Sequence, residues 1–332
     1  MKTVAFFNNK GGVGKTTLVY HLACMLADRN QTVLAVDLDP QANLTSMFMQ
    51  EDALEPLWSG NEHPDTIYGA LRPIIRGIGD VETPHLQEIN TRLALIVGDL
   101  ALSTFEDKLS DAWPRCHNRD ESAFRIMTAF YRGIRQAAAQ FGASWVLIDV
   151  GPNLGAINRA ALIASQHVVI PLGPDLFSLQ GLRNLGPSLR SWRASWKEMT
   201  LKSPDPALEL PSGQIEPLGY VVMQHAMREN RPSKSYQRWI DRFPGAYRES
   251  VLDDLSPSTI TSESDPFCLA MLKHYRSLMP MAMEARKPVF ALKPADGAIG
   301  AHGEAVRKAY TDFLTLARRI ADRSGAALPS GA

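Results

Sequence analysis

Residues 6–17 read FFNNKGGVGKTT, and the fold follows from how this stretch is understood. An apolar run ends, glycines crowd together, and a lysine and two threonines follow. That order is a strand, a tight loop and the start of a helix. Gly11, Gly12 and Gly14 let the backbone curl so that successive N–H groups face inward on phosphate oxygens. A helix beginning near Lys15 adds its N-terminal dipole to the same anion. Lys15 is placed to reach the terminal phosphates, Thr16 to ligate Mg²⁺ and Thr17 to donate to the α-phosphate, with Val13 inside the loop. The usual pattern G-x-x-x-x-G-K-[ST] would put glycine at position 9. Asparagine stands there instead, followed by a second lysine, Lys10.

Working outward, short apolar runs alternate with segments of helical length. Strands are expected at Thr3–Phe7, Thr32–Asp37, Leu93–Val97, Trp145–Asp149, His167–Pro171, Leu218–Met223 and Pro288–Ala291. Helices are expected near 16–29, 66–77, 100–110, 121–141, 155–165, 178–197, 268–286 and 303–323. Most of the strands are continuous apolar runs, which suits parallel strands covered on both faces. The alternation predicts an α/β fold, doubly wound, with a mostly parallel sheet and helices on both faces. The whole of 1–332 is expected to form one domain, with loop insertions around 50–65, 111–121 and 200–216. The first strand begins at Lys2, so no separate N-terminal DNA-binding domain is expected.

Ligands of such sheets bind beyond the carboxyl ends of the strands. Two further motifs fall at that edge. DLDPQANLT (37–45) follows the second strand; Asp39 is positioned to orient an attacking water and Asp37 to support a Mg²⁺ shell. WVLIDVGPNLG (145–155) is a hydrophobic strand ending in Asp149, suited to hold a water on the metal. Phosphoryl transfer needs positioning and charge neutralisation more than covalent chemistry, so these groups suffice.

Lys+Arg and Asp+Glu number 35 each, so no global basic field exists and any polyanion must meet a local patch. Two are present: Arg193 and Lys197 beside two tryptophans, and Arg228, Arg231 and Lys234 in MRENRPSKSYQRW (227–239). They could contact DNA phosphates without reading sequence; for each residue a solvated helix face is the competing explanation. Three scattered cysteines give neither a disulfide framework nor a zinc spacing and suit a reducing, cytoplasmic setting. No apolar run is long enough to span a bilayer. The C-terminal helix carries an apolar stripe of Ala305, Ala309, Phe313, Leu316, Ala317 and Ile320, read as a face packed on the sheet. The tail AALPSGA lacks what an interfacial anchor needs, so no membrane partner is expected.

Taken together, KGGVGKTT, DLDPQANLT and VLIDVGPNLG resemble the ParA/MinD group of P-loop ATPases with a deviant Walker A loop, and ParA/Soj partition ATPases in particular. The resemblance extends to VVIPLGPDLFSLQGL (168–182), to residues 93–109 and to KPVFALKPADGAIG onward, where Pro294 is taken as a nucleotide-binding position. It implies ATP and Mg²⁺ as cofactors and a nucleotide-sandwich homodimer in the ATP state. It further implies non-specific DNA binding, nucleoid association, and slow hydrolysis stimulated by a ParB-like or adaptor protein. Lys10 would then cross to the second subunit's phosphates as the signature lysine. Gly12 would lie where the two loops meet, so that a side chain there blocks close dimerisation. The sequence departs from the group at Val150-Gly151, where D-T-P-P is usual; the lost hydroxyl and a loosened turn would alter hydrolysis. Two other classes stand beside this reading. A synthase or iron–sulfur carrier of the same fold would need further domains or a C-x-x-C pair. A regulatory ATP switch would act through protein partners without DNA.

Overall fold

The computed structural model describes residues 1–328 apart from 226, 229, 230, 233, 257–259 and 276, with the side chains of 224–235 also excluded. The strands are β1 (Lys2–Phe6), β2 (Val33–Asp37), β3 (Gln87–Asn90), β4 (Leu93–Ile96), β5 (Trp145–Asp149), β6 (His167–Leu172), β7 (Glu216–His225), β8 (Met227–Arg228), β9 (Arg231–Pro232) and β10 (Cys268–Lys273). Eight of them form one sheet in the order β10-β7-β6-β1-β5-β2-β4-β3. Every pairing in it is parallel except β3 on β4, an antiparallel edge strand the sequence reading omitted. β8 and β9 form a separate two-stranded ribbon.

The alternation of side chains along each strand splits the core in two. Val4 and Phe6 of β1 and Val33 and Ala35 of β2 face one apolar cluster. Ala5, Leu34 and Val36 face the other. Helices α1 (Lys15–Asp28), α12 (Leu278–Ala285) and α13 (Ala301–Arg323) cover the first face. The second is covered by α4 (Ile67–Arg76), α5 (Phe105–His117), α6 (Glu121–Met127), α7 (Ala129–Phe141), α8 (Ala156–Ile163), α9 (Leu176–Thr200) and α11 (Phe243–Tyr247). Short helices α2 (Asn43–Phe48), α3 (Glu51–Leu57) and α10 (Lys234–Ile240) complete the set. Both faces of the sheet are therefore dry, which is why its strands read as unbroken apolar runs. The stripe expected on the last helix is the packed face of α13, where Ala309, Phe313, Leu316, Ala317 and Ile320 are buried.

Several expected elements differ. Residues 268–286, expected as one helix, contain strand β10 and then α12. Leu, Ala, Met and Lys are good helix formers, but pairing with β7 supplies a ladder that local propensity does not register. Pro288–Ala291, expected as a strand, is a 3-10 turn over Val289–Ala291 that packs Phe290 against His21 and Phe313. The stretches expected as loops at 50–65 and 111–121 contain α3 and the second half of α5. In α5 the buried positions Phe105, Leu109, Ala112 and Cys116 recur at helical spacing straight through the supposed loop.

α9 is 25 residues long. Midway along it, Gly186 admits the backbone of the segment after α11; a Cβ there would lie 1.8 Å from the Ser250 carbonyl oxygen.

Candidate nucleotide-binding site

Three neighbouring strands, β1, β5 and β2, end together. Phe6 pairs with Asp149 and Asp37 pairs with Asp149 in register, so the Gly-rich loop and both acidic motifs leave the sheet at one edge. The loop is anchored by Asn8, whose side-chain amide donates to the Pro171 carbonyl (2.6 Å) and whose Oδ1 accepts from the Lys10 N–H (3.0 Å). Gly12 and Gly14 adopt left-handed conformations, φ +72° and +89°, which only glycine takes without strain. Gly14 stands at the N-terminus of α1, and no side chain caps that terminus. Its first N–H groups thus keep the anion-binding character of an uncapped helix start. Gly11 and Gly12 are exposed at the mouth, while Val13 is buried and reaches toward Gly173 at the end of β6. Asn9 packs on α9 opposite Gly181, where a Cβ would lie 2.4 Å from its Oδ1. A glycine on a neighbouring helix thus makes the room that asparagine needs.

Beneath the loop lies a buried set of charges. Lys15 is 7% exposed, and its ammonium donates to the Lys10 carbonyl (3.3 Å). Burial pulls its pKa down, while Asp149 and then Asp39 act to raise it. Asp149 is fully buried, and neither of its carboxylate oxygens finds a hydrogen-bond partner among the described residues. Burial first, and then the neighbouring Asp37, push its pKa well above the usual carboxylate range; the Thr16 hydroxyl and Lys15 counter only in part. A buried, unsatisfied carboxylate beside a threonine hydroxyl and a lysine is costly unless a cation or a donor completes it. The carboxylate and the hydroxyl are oxygen donors of the kind a hard divalent ion takes, and the lysine suits phosphate oxygens. The residues present therefore fit a Mg²⁺-bound nucleotide.

Asp37 is different. Its Oδ2 accepts from both the N–H and the hydroxyl of Thr45 (2.8 Å each), and its Oδ1 accepts from the Asp39 N–H (3.2 Å). The Thr45 hydroxyl in turn accepts from the Gly98 N–H (2.8 Å). Gly98 has no room for a side chain, since a Cβ would lie 2.7 Å from the Asp37 carboxyl carbon. Burial raises the Asp37 pKa to about 7 against the pull of these donors. Asp39, 6% exposed, accepts from the Gln41 N–H (3.0 Å) and sits 3.4 Å from where a Cβ on Gly151 would be.

The segment after Asp149 is not the loosened turn expected from Gly151. Val150 is buried in the core. The Asn158 amide donates to the carbonyls of Gly151 (2.9 Å) and Asn153 (2.6 Å). The Glu106 carboxylate, arriving from α5, accepts from the Ala156 and Ile157 N–H groups at the start of α8 (2.5 and 2.9 Å). Glu106 lies fifty residues from its partners and carries no sequence signal.

At the mouth, the Lys10 ammonium is paired with Asp175 of its own chain. Thr16 and Thr17 are half-buried in the first turn of α1. Thr17 lines a small cavity of about 40 Å³ with Met223, His274, Met279 and Phe313. Pro294 is exposed in a turn held by the Lys287–Asp296 pair. Of the candidate DNA contacts, Lys197 is exposed and Arg193 half-buried on α9; burial and then Arg190 lower the Arg193 pKa. Trp196 belongs to the core, its indole N–H donating to the Pro211 carbonyl (2.9 Å). The side chains of Arg228, Arg231 and Lys234 lie outside the described residues. Among the described residues no cluster of three or more His, Cys, Asp or Glu gathers to hold a metal, and no helix is long and apolar enough to cross a membrane.

A parallel sheet of this order, with a Gly-rich loop feeding α1 and acids closing the neighbouring strands, defines a P-loop nucleotide-binding domain. The chain belongs to the AAA domain family AAA_31, matched over residues 1–201. It is 26% identical over 267 residues to an uncharacterized protein of Methanocaldococcus jannaschii, covering 79% of this chain and 87% of that one. It is 31% identical over 188 residues to the chromosome partitioning protein ParA of Myxococcus xanthus, covering 55% of this chain and 56% of that one. The chain thus spans most of the archaeal relative but only about half the length of the bacterial one. Among solved structures, a Corynebacterium diphtheriae protein superimposes with TM-score 0.70 at 22% identity, covering 97% of this chain and 98% of that chain. McdA of Cyanothece, solved with ATP, superimposes with TM-score 0.64 at 17% identity, covering 100% and 99%. These likenesses establish the fold.

Proposed function

We propose that this protein is a partition-type ATPase that binds ATP with Mg²⁺ and dimerises around it. On this reading the dimer holds DNA non-specifically and hydrolyses ATP slowly, under stimulation by a ParB-like or adaptor protein, to position a cargo. The observation that carries the nucleotide site is Asp149, buried and unpartnered beside Thr16 and Lys15 under an uncapped helix start. When bound, Mg²⁺ neutralises phosphate charge. Thr16 and Asp149 are the residues that would hold the metal and its water. Asp37 supports that shell from behind, its carboxylate fixing Thr45 and the backbone of Asp39. Asp39 orients the attacking water. The N–H groups of Gly11 to Thr17, with the Lys15 ammonium, cradle the phosphates, and Pro294 borders the nucleotide. Lys10 reaches the phosphates of the second subunit and Gly12 meets its counterpart there.

For DNA, Lys197 and Arg193 on α9 supply cations, joined in this reading by Arg228, Arg231 and Lys234; dimerisation would double each patch. The test is DNA retention with ATP, with ADP and without nucleotide, across a salt series. Binding that requires ATP and weakens steeply with salt supports the reading. ATP-dependent dimerisation with no DNA binding in any state would replace it with a regulatory switch that acts through protein partners.

A further inference from the structure

Asp175 is absorbed by none of the roles above, yet it touches the signature lysine. It caps the N-terminus of α9: its Oδ1 accepts from the Ser178 N–H (2.9 Å), and its own N–H donates to the Gly173 carbonyl (2.8 Å). Its other carboxylate oxygen takes the Lys10 ammonium. Two further contacts fix the geometry. The Phe177 ring centroid lies 5.9 Å from the Lys10 ammonium, and Gly181 lets Asn8 and Asn9 pack directly on α9. The loop and the first turns of α9 are thus one assembly, and the pair is about one-third exposed on each side. Phe177 is 71% exposed and Leu176 43%, so the latched lysine sits in an apolar surround at the open edge of the site.

We propose that Asp175 is a positioning residue that holds Lys10 against its own subunit and is released when the second subunit arrives. The inference rests on the dimer reading above. A lysine engaged in cis cannot serve a phosphate in trans. Breaking two partly exposed pairs per dimer raises the protein concentration at which dimers form, by about fivefold in total for pairs of this exposure. The contact biases the free subunit against closing on another. Phe177 shields the pair and widens the apolar ground that the second copy would cover.

The experiment measures dimer formation by analytical ultracentrifugation against protein concentration, with Mg²⁺ and a non-hydrolysable ATP analogue. Wild type is compared with Asp175→Asn, Asp175→Ser and Asp175→Glu. Asparagine and serine keep the helix cap while removing the charge; glutamate keeps the charge. The proposal expects dimerisation at about fivefold lower concentration for Asp175→Asn and Asp175→Ser, a near-wild-type threshold for Asp175→Glu, and unchanged analogue affinity in the monomer. A merely structural residue would not give easier dimerisation on removal. An unchanged or higher threshold in both uncharged variants overturns the proposal while leaving the dimer reading intact. A wild-type chain that never dimerises with the analogue overturns the dimer reading itself.

Discussion

At the scale of single residues, the site is a place where stability has been given up. Asp149 is buried, close to Asp37, and among the described residues its carboxylate oxygens have no hydrogen-bond partner, the nearby Thr16 hydroxyl and Lys15 offsetting its burial only in part. Its raised pKa means the folded state resists ionising it, so near neutral pH the free protein is destabilised by that carboxylate. Asp149→Asn is therefore expected to raise the stability of the ligand-free protein by about 1 kcal/mol or more. It is also expected to abolish the rise in melting temperature on adding Mg²⁺ with ATP; a thermal shift series with and without both ligands checks each half. Gly12 makes a second prediction. A Cβ there would meet nothing within 4 Å of its own chain, although φ is +72°. Gly12→Val should cost roughly 1–2 kcal/mol of backbone strain and leave the fold intact. Dimerisation with a non-hydrolysable analogue should be lost, as sedimentation would show, because the obstruction lies outside the subunit.

At the scale of elements, the helices around the site are held by side chains from far along the chain. Glu106 of α5 closes the start of α8 and so fixes the segment that follows Asp149. Glu106→Ala should lower stability by about 1–2 kcal/mol, read from urea midpoints, because two helix N–H groups lose a charged acceptor. This scale also separates what was legible from what was not. The loop at 10–17 could be read because its chemistry is local: glycines at the turns, then lysine and threonine on the first helical turn. Asp175 carried a readable signal, an aspartate three residues before Ser178 at a helix start, though not its bond to Lys10. Glu106, and the Thr45–Gly98 bond behind Asp37, depend on the packing of α5 and on the parallel pairing of β2 with β4, which no local pattern encodes. β10 was hidden for the same reason, since CLAMLK becomes a strand only because β7 lies beside it.

At the scale of the whole molecule, His21 ties three distant segments. Its Nδ1 donates to the Thr17 carbonyl (2.7 Å), its Nε2 accepts from the Val289 N–H (3.1 Å), and its ring stacks on Phe313 of α13 at 4.8 Å. Both nitrogens are used by the neutral form, and burial lowers the pKa to about 4. The unfolded chain then binds a proton that the folded one refuses. Stability from His21 is complete above about pH 6.5 and falls as pH drops toward 4, by on the order of 3 kcal/mol. Asp37 acts in the opposite sense. Its folded pKa of about 7 means that its contribution grows as pH falls below 7. Urea midpoints of wild type and His21→Gln at pH 7 and pH 5 isolate the first effect: the variant should lose the histidine's share of the acid-induced drop.

The long helix α9 joins these scales. Its first turn holds Lys10 through Asp175, its second half carries Arg193 and Lys197, and between them Gly186 rests on the Ser250 backbone. Pro187 follows Gly186 directly, so the helix has no backbone N–H donor beside its seat and is weakest there. About 15 Å separates that seat from the Asp175 end, and a similar length separates it from Lys197. The Asp175 end and the Lys197 end of α9 are therefore joined through its weakest stretch, and each half is held by its own packing on the sheet.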